Sequence, residues 1–281
     1  MDTRVIFVNA SELAAVLDRN PYENAWETAA KVWRRHSRVT FDASGLKLPG
    51  KWVDEMAERH AGLHALLERA GKTPPGDLGE TLATAGFFAA KKGWTPTEAK
   101  KLEDRVRKES FCGHGNAGES KAISEFEAET GNTVTLDMEY RHREVCVLGD
   151  GTSVRLGGRV DGIIEDDRGR GKTIVEIKNR VAGLSYRLRG YEELQLRAYL
   201  WVFEARRGVL VERLQFADGK ATSCTYEIDS DDDIWDREVS KPLAAMAIFV
   251  RRLSTDRRFA EAFVTSRTKN AIFKREMNLH M

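Results

Sequence analysis

The sequence predicts an α/β (α+β) fold, with a central mixed β-sheet flanked by helices and a helical region ahead of it. Three observations carry this expectation. Alternating apolar and polar runs cluster between Thr133 and Ile177, as in half-buried strands. A strong helical segment, residues 190–207, follows them, and two more strand-like runs, residues 208–216 and 221–228, come after it. Helices before, between and after strands fit a sheet covered on both faces.

Residues 10–36 read as two helices. Ala10-Ser11-Glu12 opens the first, with Leu13, Val16 and Leu17 at helical spacing, and Asn20-Pro21-Tyr22 separates it from a second over Trp26–His36. Residues 37–50, with Gly45, Pro49 and Gly50, read as a loop. Residues 51–70 are helical again. The segment 71–79, holding Pro74-Pro75-Gly76, is a break, and a basic region around Trp94 follows it, from Lys91 to Lys108. Residues 118–130 form a helix stopped by Gly131. Strands are then expected over 133–140, 144–148, 153–165 and 172–178, with turns at Gly149-Asp150-Gly151 and Gly169-Arg170-Gly171. After Ser230 the chain reads as helical to Leu253 and on into the tail. The acidic run Asp229–Asp233 reads as a helix start rather than a metal loop.

The length of 281 residues suits one large domain with elaborations, or one domain plus a small helical one. The expected division is 1–110, a helical region packed on the core, and 111–281, the core with its C-terminal helices. A hydrophobic share of 41% argues against a disordered chain. Lys plus Arg, 45, balances Asp plus Glu, 44, so net charge gives no vote for or against nucleic acid. Cys112, Cys146 and Cys224 form no CxxC pair and no zinc spacing, which fits a reducing compartment. No apolar run is long enough for a membrane span, and the N-terminus lacks the features of a secretory signal. The expectation is an intracellular protein with no membrane partner.

The stretch from Gly158 to Lys178 carries the chemistry. Asp161 ends one strand-like run, and Glu176-Ile177-Lys178 lies on the next. A strand's period of two puts Glu176 and Lys178 on one face and Ile177 on the other, toward the core. Two carboxylates and an ammonium beside a hairpin suit a hard divalent cation and an activated water. Asp161 and Glu176 would hold the ion, with the Ile177 carbonyl as a further ligand. Lys178 would orient or deprotonate the water, or stabilise developing charge. Beside bound cations a lysine pKa can fall.

Asp161 followed by Glu176-Ile177-Lys178 resembles the PD-(D/E)XK nuclease superfamily, with Val160 where a proline is usual. The helix opening Gly118-Glu119-Ser120-Lys121-Ala122 and ending Thr130-Gly131-Asn132-Thr133-Val134 resembles its YqaJ, or lambda-exonuclease-like, branch. So do Tyr191 and Gln195 in YEELQLRAYLW, and Ser11 with Asn20-Pro21-Tyr22 near the start. The resemblance covers residues 8–36 and 111–205. It implies a restriction-endonuclease-like core and catalytic residues Glu119, Asp161, Glu176, Lys178 and Gln195. It further implies metal ligands Glu119, Asp161, Glu176 and the Ile177 carbonyl, for one or two Mg²⁺ ions with Mn²⁺ as an alternative. Ser11 and Tyr191 would contact DNA. The implied activity is an exonuclease on double-stranded ends, of the viral recombinase type, serving recombination or repair. An annealing protein and ring-shaped homo-oligomers are partners in that branch, and a viral member would work in the host nucleus or cytoplasm.

Bland readings stand beside these. Singly, Asp161 can cap a turn, Glu176 and Lys178 can be a solvent-facing strand pair, and Glu119 a first-turn acid. The basic region around Trp94 can track phosphates or be a solvated helix face. An endonuclease or RNA-cleaving relative would keep the same site, and a non-catalytic DNA-end-binding protein would keep the fold alone. Desolvated carboxylates near phosphates speak against the last.

Overall fold

The structure is a computed structural model, and it describes residues 5–48, 51–136, 139–165, 171–216 and 218–280. Its elements are, in order, β1 (Val5–Asn9), α1 (Ala10–Val16), α2 (Ala25–His36), α3 (Arg38–Ser44), α4 (Lys51–Arg59), α5 (Ala61–Lys72), α6 (Gly79–Lys91), α7 (Pro96–Ala117) and α8 (Glu119–Thr130). Then come β2 (Arg141–Val147), β3 (Ser153–Gly158), β4 (Gly162–Glu165), β5 (Lys172–Arg180), α9 (Gly190–Phe203), β6 (Arg207–Gln215) and β7 (Ala221–Asp229). The helices α10 (Asp232–Trp235), α11 (Lys241–Thr255), α12 (Arg257–Thr265) and α13 (Lys269–His280) close the chain. The α/β class with mixed sheets and flanking helices is as expected.

The strands form two sheets rather than one. One has the order β1-β3-β2, the other β4-β5-β6-β7. The run expected as a single strand over 153–165 breaks at residues 159–161, so β3 pairs with β1 and β2 while β4 pairs with β5. β1 is a strand the sequence reading did not pick out. It runs parallel to β3, and Ile6 and Val8 are fully buried.

The strand expected over 133–140 is reduced to one bridge, Thr135 with Ile163. Its residues 137–138 lie outside the described residues. The physical reason sits in the preceding helix: the Glu127 carboxylate accepts the Val134 N–H at 2.7 Å, which takes a donor a ladder would have used. Residues 38–44, expected as loop, form α3, whose Phe41 packs edge-on against Trp33 at 5.2 Å. Residue Asp231 caps α10 by accepting the Ile234 N–H at 2.9 Å, so the acidic run is a helix start as read.

Burial explains the layering. The largest apolar cluster joins β1, β3, α1, α2, α9 and α11–α13, with Trp33, Phe249, Phe263 and Phe273 at its heart. A smaller one, Ala122, Ile123 and Phe126 against Val175, Ile177, Val209 and Val211, fixes α8 on the opposite face of β5 and β6. A third, including Val53, Leu63, Leu66, Leu102 and Val106, belongs to α4–α7 alone. Trp94 packs there against Trp52 and Phe88, at 4.6 and 5.5 Å, and Lys100 pairs with Asp104. That favours the structural reading of the basic region over a base-stacking one. Among the described residues, no helix is long and apolar enough to cross a membrane.

Candidate active site

β5 is buried on both faces, and its period of two sorts its residues between them. Val175 and Ile177 pack under α8. Ile174, Glu176, Lys178 and Arg180 face the other way, toward α9. Ile177 thus points into apolar packing as expected, and Glu176 and Lys178 share the polar face.

Asp161 reaches this strand from the bend between β3 and β4. The β4–β5 ladder ends at the pair Gly162–Val175, which leaves the next inward-facing group of β5 unpaired on that edge. Asp161 fills the gap: its Oδ2 accepts the Ile177 N–H at 2.7 Å. The N–H and C=O of one strand residue leave on the same edge, so the Ile177 carbonyl faces the same opening. The bend fits because of Gly158. A Cβ there would lie 2.6 Å from the Tyr199 ring and 3.2 Å from the Ala10 Cβ. Glycine lets α9 and the start of α1 close on the strand.

Helix α9 presents Tyr191, Gln195 and Tyr199 along one face, as i, i+4 spacing requires. Glu176 is only 5% exposed, and its Oε1 accepts from Lys178 Nζ at 2.6 Å and from Gln195 Nε2 at 2.9 Å. Gln195 Nε2 also donates to Tyr199 OH at 2.9 Å, and its Oε1 lies 3.4 Å from Lys178 Nζ. The other carboxylate oxygen, Glu176 Oε2, is buried with no partner.

Glu119 opens α8. The preceding Gly118 has no room for a side chain, since a Cβ would meet the Asn179 amide at 2.8 Å. That contact seats the helix start against the strand end just past Lys178. Burial pushes the Glu119 carboxyl up, and the Asp161 charge adds to this, against Arg159 and Lys178. Burial raises Asp161 as well, opposed by the Ile177 N–H and Lys178. Glu176 is pushed up to about 7 by burial, against the pull of Lys178, with Asp161 and Glu119 adding to the rise. For Lys178, burial works to lower the pKa, but Glu176 and Asp161 outweigh it and hold the ammonium above its ordinary value. Surrounded by carboxylates, Lys178 keeps its proton.

The four residues Glu119, Asp161, Glu176 and Lys178 therefore feel one another's charge. Among the described residues, no three carboxylate, histidine or cysteine side chains already form a finished metal cage. The donor set still suits a hard cation. Three crowded carboxylates are strained toward protonation, one has an unpartnered buried oxygen, and a backbone carbonyl shares the opening.

Ser11 and Tyr191 occupy different settings. Ser11 is exposed in the first turn of α1, next to the Ala10 that abuts Gly158. Tyr191 is half-buried; its OH accepts from Arg189 Nη1 at 2.8 Å, and the Tyr22 ring meets it edge-on at 5.8 Å.

A charged network beside the site went unread in the sequence. Arg180 donates to Glu192 and Glu212 at 2.7 Å each, and both acids are buried. Glu212 Oε2 also accepts the Ser185 N–H at 2.8 Å. The signal was present, since Arg180 continues the 176–178 face by one more period, but nothing in the sequence named its partners. Asn179, whose Nδ2 donates to the Gly115 carbonyl at 2.8 Å, left no such signal.

Residues 21–271 match the family model described as the PD-(D/E)XK nuclease superfamily. The chain belongs to that superfamily, and it is a nuclease. No curated protein matches it. Among solved structures it is similar to an alkaline exonuclease from Laribacter hongkongensis, at 19% identity and a TM-score of 0.37, covering 52% of this chain and 73% of that one. It is also similar to a phage-related exonuclease from Haemophilus somnus 129PT, at 14% identity and a TM-score of 0.39, with the same coverage, 52% and 73%.

Proposed function

We propose that the protein is a Mg²⁺-dependent exonuclease of the YqaJ, or lambda-exonuclease-like, branch, hydrolysing DNA from double-stranded ends. One observation carries this reading. Lys178 and Gln195 hold one oxygen of Glu176 and leave the other buried and free, beside an Asp161 carboxylate fixed on the same strand. Glu119, Asp161, Glu176 and the Ile177 carbonyl would hold Mg²⁺, or Mn²⁺ in its place, as one or two ions. When bound, such an ion neutralises phosphoryl oxygens and makes water a stronger nucleophile. Lys178, charged and anchored by Glu176, steadies charge that develops on the phosphate rather than removing a proton. Gln195 fixes the direction of that ammonium and ties it to Tyr199. Ser11 and Tyr191 contact the DNA from the start of α1 and of α9.

The same proposal includes a role in recombination or repair, an intracellular site, a single-strand annealing partner and a homo-oligomer. A division near residue 110 goes with it, although α7 runs across that point and β1, α1 and α2 pack in the main cluster while α4–α7 keep one of their own.

The test is digestion of end-labelled linear duplexes, blocked at one terminus or the other, beside closed circles, with and without Mg²⁺. The expected result is Mg²⁺-dependent loss of linear DNA only, and a fall of at least ~10²-fold in Lys178→Ala. Closed circles cut as fast as linear ends would make the enzyme an endonuclease. Wild-type activity no higher than that of the variant would leave a binding role alone.

A further inference from the structure

The segment 181–189 joins the strand of Lys178 to the helix of Gln195, and it carries an unusual tyrosine. Tyr186 is 77% exposed and has φ +52°, a left-handed backbone that a bulky residue adopts only under compulsion. The compulsion is visible. On one side Glu212 Oε2 grips the Ser185 N–H at 2.8 Å. Across the tyrosine, Ser185 Oγ donates to the Arg187 carbonyl at 2.7 Å, and Arg189 Nε donates to the same Oγ at 3.2 Å. These bonds bracket Tyr186, whose ring stays exposed. The anchor is itself fully buried and neutralised by Arg180. Glu212 is the β6 neighbour of Lys178, about 4.8 Å away across the ladder. The loop is therefore pinned over the same strand end that carries the hydrolytic lysine.

A strained, outward aromatic on a fixed loop suits a planar partner. In duplex DNA the base faces are covered everywhere except at an end, where the terminal pair offers a bare π-surface. We propose that Tyr186 stacks on the terminal base of the DNA substrate and so recognises an end. This rests on the reading of the protein as a DNA nuclease, and it places end selection in a residue outside the hydrolytic set. The Arg180–Glu212 pair is the positioning element that holds the ring ready.

The experiment uses the full chain with Ca²⁺ in place of Mg²⁺ and duplexes carrying 2-aminopurine at the terminal or at an interior position. Wild type and Tyr186→Phe should quench the terminal probe and leave the interior one unchanged. Tyr186→Ala and Tyr186→Gly should lose the quench and bind ends roughly 5- to 150-fold more weakly, the range for one stacked base. Thermal melting of each variant confirms folding. If folded Tyr186→Ala quenches and binds like wild type, the proposal is overturned. It is equally overturned if Tyr186→Gly keeps full end binding while Tyr186→Ala does not, since backbone strain rather than the ring would then matter. Cleavage in Mg²⁺ is scored separately. A wild type that quenches the terminal base but never cuts would sink the nuclease mode and leave end recognition standing.

Discussion

At the scale of single residues, Glu176 is where burial and charge oppose each other. Its carboxyl ordinarily titrates near 4.5 and is pushed up to about 7 in the fold. A group held in its protonated form by folding stabilises the protein fully below its unfolded pKa and ceases to do so as pH rises through the folded one. The metal-free protein should therefore lose stability between about pH 4.5 and 7, by up to about 3 kcal/mol, one unit being about 1.4 kcal/mol. Denaturant midpoints across that window measure it, and Glu176→Gln should flatten the slope. Divalent-cation affinity should run the opposite way, rising with pH as the carboxylate frees its proton. This environment was legible only in part. The i, i+2 spacing of Glu176 and Lys178 showed that they share a face. It could not show that α9 covers that face, and cover is what raises the carboxyl and keeps the lysine charged.

At the scale of elements, the site depends on how closely α8 and α9 approach β5. Gly118 marks the close approach of α8, with Asn179 occupying the space of a Cβ. Gly118→Ala should displace the first turn of α8, and Glu119 with it. We expect a fall in cleavage of ~10-fold or more, measured as turnover on linear duplex, while the melting temperature moves little. An unchanged rate would mean that Asn179 swings aside freely. Elements with local signals were the legible ones: α8 stopped by Gly131, the Gly149–Gly151 turn, the long α9, the strands β5 to β7. Those decided by distant partners were not. The alternation of Ile6 and Val8 becomes a strand only because β3 offers it an edge. The run after Val134 fails as a strand because Glu127 has already taken its donor. A single expected strand splits because Asp161 turns to serve Ile177. Two of these partners are distant in sequence and Glu127 lies seven residues back, and periodicity carries no information about any of them.

At the scale of the whole molecule, the helices α4–α7 keep an apolar interior of their own, and their internal fit is tight. A Cβ at Gly113 would fall 1.8 Å from the Gly71 carbonyl oxygen, a backbone atom that cannot rotate away. Gly113→Ala should force α5 and α7 apart and cost about 1–3 kcal/mol, seen as a lower melting temperature. Full retention of stability would show that the two helices can slide past each other. This helical layer is fastened to β5 through the Asn179 amide, which grips the last turns of α7 one residue beyond Lys178. The consequence is mechanical. A push on the outer helices would reach β5 one residue away from the Lys178 amine.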